Sequence, residues 1–283
     1  MSESRTLILG FIAGVTILFG LPFGRMRSPH PGLRQFLNSL AIGILVFLLW
    51  DVLAHGWEPV DGALANFHDD AAGLGPVFGY GAILIGGLAV SLMGLVYYER
   101  WLDGRGRPRN FGPGAMAVAE LATPRAGIAA WSAARRLALL IAVGIGLHNF
   151  GEGLAIGGSA ASGEISLATV LVIGFALHNA TEGFGIVAPL AADGDRPSWG
   201  FLAAMGAIGG APTFVGTIVG RQFTSEAMSV AFLALAGGSI LYVIIQLIGV
   251  AQRAGRKELL YWGVLAGLAA GFITDMVVTA GGA

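Results

Sequence analysis

The chain is 283 residues long, 55% hydrophobic and only 12% charged, with 16 basic against 17 acidic side chains. A water-facing domain carries about 25% charged residues, so a soluble globule is excluded. The even charge balance argues against a nucleic-acid binder, and the hydrophobic content rejects disorder as the meaning of 46 glycines. No cysteine is present, which removes disulfides, thiolate metal sites and cysteine nucleophiles together.

What remains is an all-α polytopic membrane protein. A membrane helix needs about 20 apolar residues. In chain order, eight such spans are predicted over residues 6–24, 35–57, 71–98, 137–163, 165–192, 197–220, 227–252 and 259–280, in one transmembrane domain covering 1–283. The first, third, sixth and seventh contain no Asp, Glu, Lys or Arg; the others contain one acid each, Asp51, Glu152, Glu182 and Asp275. The first span is a helix rather than a signal peptide. Its uncharged run outlasts the usual apolar region of about 7–15 residues, and no small-residue cleavage pattern precedes Arg25. Residues 99–136 read as a loop. Within it, 111–130 holds Gly112, Pro113, Gly114, Glu120, Pro124 and Arg125, which allows at most a short interfacial helix.

Basic residues set the orientation. With the N-terminus outside, the inner side holds Arg25, Arg27, Arg34, seven arginines between Arg100 and Arg136, Arg196, Arg253, Arg256 and Lys257, and the outer side only Arg5 and Arg221. Both termini are therefore expected outside. The outer segment after the second span has no Lys or Arg but carries Glu58, Asp61, His68, Asp69 and Asp70.

A charged side chain near the bilayer centre costs at least about 2.5–3.5 kcal/mol, so such residues are usually retained for function. The fourth span reads His148-Asn149-Phe150-Gly151-Glu152-Gly153 and the fifth His178-Asn179-Ala180-Thr181-Glu182-Gly183, one string repeated after 30 residues. His148 follows Arg136 by about 18 Å of helix rise and His178 follows Glu164 by about 21 Å, which puts both motifs near mid-membrane. In each, His and Glu are i and i+4 and share a face. Two such faces on antiparallel neighbours bring two imidazoles and two carboxylates around one point, with charge that matches a divalent cation. Imidazole with carboxylate suits Zn, Fe, Mn or Co and disfavours Ca and Mg. A structural pair of His–Glu contacts is the simpler alternative, weakened by the repeat.

The doubled string resembles the ZIP (Zrt/Irt-like) family of divalent-metal transporters, and the resemblance extends along the chain. The second span has Asp51-Val52-Leu53-Ala54-His55 followed by Pro59, and the seventh Ala236-Gly237-Gly238-Ser239-Ile240-Leu241-Tyr242-Val243, each similar to a family string. The resemblance implies a metal site of His148, Glu152, His178 and Glu182, with Asn149 and Asn179 where bridging or second-site ligands lie. It further implies zinc as the main substrate, with iron, manganese and cadmium beside it, moved toward the cytoplasm by alternating access. Spans 1, 4, 5 and 6 would move against 2, 3, 7 and 8, in a homodimer of the cell inner membrane. Zinc is then substrate; no cofactor, catalytic residue or nucleic-acid partner is expected. The chain departs from the family in having Gly151 and Thr181, not proline, before the motif glutamates. Asn179 and Ala211 also stand where some members carry acids, which predicts one metal rather than two.

Asp51 and His55 either line the access path above the site or form a helix-end pair in headgroup water. Asp275 has no evident partner, and Gln246 is expected to donate an interhelical hydrogen bond. Glycines crowd the third span (Gly79, Gly81, Gly86, Gly87, Gly94) and the sixth (Gly206, Gly209, Gly210, Gly216, Gly220), where close helix packing is expected. Neither His-Glu-x-x-His nor Glu-x-x-His occurs, which argues against an intramembrane metalloenzyme. A metal sensor that does not transport is a further alternative.

Overall fold

The computed structural model describes residues 3–25, 31–69, 71–106, 127–161, 163, 165–222 and 225–280. Among them run eight α-helices: α1 Glu3–Val15, α2 Pro31–His68, α3 Gly75–Gly106, α4 Ala133–Ala161, α5 Ile165–Asp193, α6 Trp199–Gly220, α7 Glu226–Arg253 and α8 Lys257–Ala280. Short 3-10 turns occupy Thr16–Phe19, Leu21–Arg25 and Gly127–Ala130, and no strand occurs among the described residues. Seven helical stretches are long and apolar enough to cross a membrane, Glu3–Arg25 counting as one. The remaining helix, α5, has 29 residues and so is about 43 Å long, ample for a hydrocarbon layer of about 30 Å. The protein is an all-helical multi-pass membrane bundle. Its connections use local chemistry: Gly194 (φ 73°) and Gly255 (φ 76°) end α5 and α7 in the left-handed region, and the Ser198 hydroxyl accepts from Phe201 N–H at the start of α6.

Several helices differ from the spans expected of them. The second, expected over 35–57, runs on to His68, so that Glu58, Asp61 and His68 lie on a helix and not in a loop. Charges begin there, but Gly56, Val60 and Ala63 remain buried at helical spacing and hold the extension to the bundle. The first, expected as one helix over 6–24, leaves α-geometry after Val15. Thr16 Oγ1 turns back to the Ala13 carbonyl at 2.6 Å, and Pro22 cannot continue an α-helix. Gly20 then lies so close to α5 that a Cβ would be 2.4 Å from Ala180 O. Both ends of the expected 99–136 loop are helical, since α3 reaches Gly106 and α4 starts at Ala133; residues 107–126, with most of the 111–130 segment, and Asp70 lie outside the described residues.

The glycine expectation holds for α6 and fails for α3. A Cβ at Gly206, Gly209, Gly210, Gly216 or Gly220 would lie within 3 Å of a neighbour. On α3 only Gly87 is so placed; Gly79, Gly81, Gly86 and Gly94 have nothing within 4 Å of such a Cβ. The α3 glycines face outward because this helix is attached to the bundle along one side, against α7.

Packing divides the bundle into two groups. The first is α1, α4, α5 and α6, with its most extensive contact between α4 and α6; the second is α2, α3, α7 and α8, built on α2–α8, α3–α7 and α2–α7. The groups meet chiefly where α7 crosses α4 and α2 crosses α5.

Polar side chains tie helices inside each group. In the first, the Arg135 guanidinium donates to both Asp195 oxygens at 2.6 and 3.0 Å, Arg25 donates to the Pro197 carbonyl and lies over the Trp199 ring, and Arg221 pairs with Glu3 at 3.1 Å. Arg135 holds the Asp195 carboxyl below its ordinary value, chiefly by this hydrogen bonding. In the second, Tyr80 donates to Glu226 at 2.7 Å, Gln35 to the Arg256 carbonyl at 2.9 Å, and Tyr242 and Gln246 to Glu99 at 3.0 Å each. Gln246 thus makes the interhelical bond expected of it.

Candidate metal centre

The doubled string puts its four ionisable groups in one buried place. His148 and Glu152 share a face of α4, with His148 Nε2 3.0 Å from Glu152 Oε1. His178 on α5 reaches the same Glu152 oxygen through its Nε2, and Glu182 Oε1 is 3.7 Å from His148 Nε2. The imidazole centroids are 6.3 Å apart. Ligand atoms of His148, Glu152 and His178 all fall within 4.8 Å of one another, a spacing that one metal ion could span. All four residues are buried, and Glu152 Oε2, both Glu182 oxygens and His148 Nδ1 have no hydrogen-bond partner. Leaving acceptors of this kind unpaired in an apolar interior is costly, and a divalent cation would offset that cost.

The two asparagines do something the string alone does not reveal. Asn149 donates its amide to the Gly209 carbonyl of α6 at 2.9 Å, and Asn179 to the Ala13 carbonyl of α1 at 3.1 Å. Each motif helix is therefore fastened to a neighbour by the residue next to its histidine. The Ala13 carbonyl is also the one Thr16 engages where α1 changes geometry. With their nitrogens committed, Asn149 Oδ1 and Asn179 Oδ1 are buried and unpartnered.

A cavity of about 660 Å³ leads to this cluster. His148 and Glu152 line it, as do Asp51, His55, Glu58 and Glu226; His178 and Glu182 are not among its lining but touch the two that are. Glu58 and Glu226 are exposed, so the cavity opens to solvent at the end of the bundle where α2 ends and α7 begins. Asp51 and His55 pair along α2 at 3.4 Å, and the His55 ring also meets the Asp51 carbonyl at 2.9 Å. Asp275, without an evident partner in sequence, lies within electrostatic reach of Asp51 and His55. Glu226 is a cavity residue that motif reading missed. Its only signal is an acid in the first turn of a helix whose next charged residue is Arg253 at its other end.

The family model described as ZIP Zinc transporter matches residues 122–272, more than half of the chain. The chain belongs to this family. Similar curated proteins are each described as Zinc transporter ZupT, from Escherichia coli O1:K1 / APEC, Escherichia coli strain K12 / DH10B and Escherichia coli O157:H7 strain EC4115. Each is 29% identical over 285 residues, covering 98% of this chain and 99% of the relative. As a ZIP-family member, the protein is a divalent-metal transporter and not an enzyme, and the metal is its substrate rather than its cofactor.

Proposed function

We propose that this chain carries a divalent transition metal, zinc foremost and also iron, manganese and cadmium, toward the cytoplasm through a centre of His148, Glu152, His178 and Glu182. The observation that carries the reading is the acid-lined cavity with two of the four ligands at its inner limit. The basic residues put the cavity mouth and both termini outside, in a cell inner membrane, so the cavity is the way in from that side. Asp51, His55, Glu58 and Glu226 draw the cation in, and the four ligands replace its water. Asn149 and Asn179 add neutral oxygens to the same centre. Asn179 and Ala211 in place of acids leave it a single-metal site.

Release follows from how the ligands are mounted. All four lie on α4 and α5, so the centre moves as part of the first helix group. Across to the second group, the contacts are apolar: Gly144 against Val243, Gly185 against Leu247, and the Phe150 and Phe232 rings at 5.4 Å. Such a surface has few directional bonds to break, so the two groups slide and expose the centre alternately to either side. Two copies form a homodimer, as the family resemblance implies.

The test is metal uptake into proteoliposomes, parent beside His178→Ala and Glu182→Ala. Each substitution removes a ligand and should reduce flux at least about tenfold. Undiminished flux in both removes the centre from the mechanism, and metal binding without flux in the parent would leave a sensor.

A further inference from the structure

We propose that the break in α1 positions the metal centre, with Thr16 as the positioning residue: Thr16 fixes the Ala13 carbonyl, and that carbonyl decides which end of the Asn179 amide is turned toward α1. This rests on the reading above, in which the Asn179 oxygen adds to the centre, and names what holds that oxygen in place.

The break starts from one side chain. A threonine hydroxyl that bonds back to a carbonyl three residues earlier competes with the helix ladder and bends it, and Thr16 Oγ1 donates to the Ala13 carbonyl at 2.6 Å. Ala13 lies in the last turn of α1, where carbonyls lose their regular partners. The Asn179 amide nitrogen reaches the same oxygen from α5, at 3.1 Å. Two side-chain donors thus meet one carbonyl, which has two lone pairs to offer. Ala13 and Asn179 are both fully buried, so water does not compete for either.

The consequence lies at the other end of the amide. With Nδ2 committed to α1, Oδ1 is the atom that faces away from it, and Oδ1 is buried with no partner. An amide turned the other way would present N–H donors there, which repel a cation. The Ala13 carbonyl therefore makes Asn179 an acceptor on its free side.

The surrounding contacts hold this bond in register. A Cβ on Gly20 would lie 2.7 Å from Gly183 Cα, and one on Gly183 would lie 2.8 Å from Gly20 Cα, so the segment after the break meets the α5 string backbone to backbone. Ile17, fully buried, reaches the other way to α6, where its Cδ1 would be 2.7 Å from a Cβ on Gly209. The Gly209 carbonyl is the one that holds the Asn149 amide. Residues 13–20 thus brace both asparagines, one through Ala13 and the other through Gly209. All of these residues belong to the first group, so the brace travels with the centre.

The rival role for Thr16 is a bend in α1 with no influence on metal. Thr16→Val keeps the shape and removes the hydroxyl, whereas Thr16→Ser keeps the hydroxyl. In detergent-purified protein, Thr16→Val should weaken zinc binding about tenfold, and Thr16→Ser should bind as the parent does. Asn179→Ala should weaken binding to a similar degree. Adding Thr16→Val to it should then change affinity less than about twofold, because no amide is left to orient. Co2+ in place of zinc gives a second readout: its visible absorption, which follows coordination geometry, should change alike in Thr16→Val and Asn179→Ala. Parent-level zinc affinity in either single variant overturns the proposal. Losses that add in the double variant overturn it too, since the hydroxyl then acts on the fold alone. Such a failure is separate from that of the centre itself if His178→Ala still abolishes zinc binding.

Discussion

Seams inside the two helix groups differ in kind from the seam between them. Inside the first group, backbones touch: a Cβ on Gly153 would lie 2.1 Å from Thr213 O, and one on Gly216 2.2 Å from Phe150 O. Inside the second, Gly43 and Gly267 do the same between α2 and α8. Hydrogen bonds and ion pairs then fasten those helices. Between the groups, glycine meets side chains, as at Gly144 with Val243 and Gly185 with Leu247. Backbone contact and directional bonds make a rigid unit, whereas side chains in apolar contact have alternative rotamers. Close packing is thus concentrated inside the two groups and withheld from their junction, which is the arrangement the proposed sliding would need.

The sharpest way to break this comparison is Gly153→Ala. Its Cβ would meet backbone atoms of α6 that cannot step aside, so a loss of about 3 kcal/mol or more is expected, read as a large fall in thermal stability in detergent. Gly144→Ala meets only the tip of Val243, and a smaller loss of about 1 kcal/mol is expected as that side chain turns. Zinc flux should fall more than stability does, since the added methyl roughens the junction across which the proposed sliding takes place. Equal losses at the two glycines would remove the distinction between the seams.

A milder effect is expected at Asp195. Its folded-state carboxyl titrates below its ordinary value, so the Arg135 pair stabilises the protein above that ordinary value and ceases to do so as pH falls through the lowered one. Asp195→Asn should therefore melt slightly lower than the parent at neutral pH, with the gap closing in strong acid; a gap that persists there would assign the loss to something other than the charge. The smallest effect belongs to Gly86→Ala, where nothing lies within 4 Å. Helix propensity alone predicts a gain of about 0.5–1 kcal/mol. Destabilisation would mean that a second copy of the chain covers α3, and the mass of the detergent-purified particle would then be that of a dimer.

The clustering of the candidate site was legible in sequence because its signal is local. His148 with Glu152 and His178 with Glu182 are each one helical turn apart, and membrane helices seldom carry such groups without use. The asparagines were harder. Asn149 and Asn179 occupy ligand-like positions in the string, yet which way an amide points depends on whether a carbonyl such as that of Gly209 or Ala13 arrives beside it. The α3 glycines were misread for the same reason, since Gly86 and Gly210 look alike until a neighbour is present or missing. The α2 extension was hidden by Glu58, Pro59 and Asp61, although Gly56, Val60 and Ala63 continued the buried spacing.

By itself, the sequence determined that this chain is a helical membrane bundle and that it carries one His/Glu string repeated after 30 residues. Those properties depend on composition and on residues a few positions apart. Only the tertiary structure decided which carbonyls the asparagines hold, which glycines are buried, where the cavity leads, and that Tyr242 and Gln246 both donate to Glu99. Each of these is a contact between residues far apart in the chain, and such contacts exist only once the helices have chosen their neighbours.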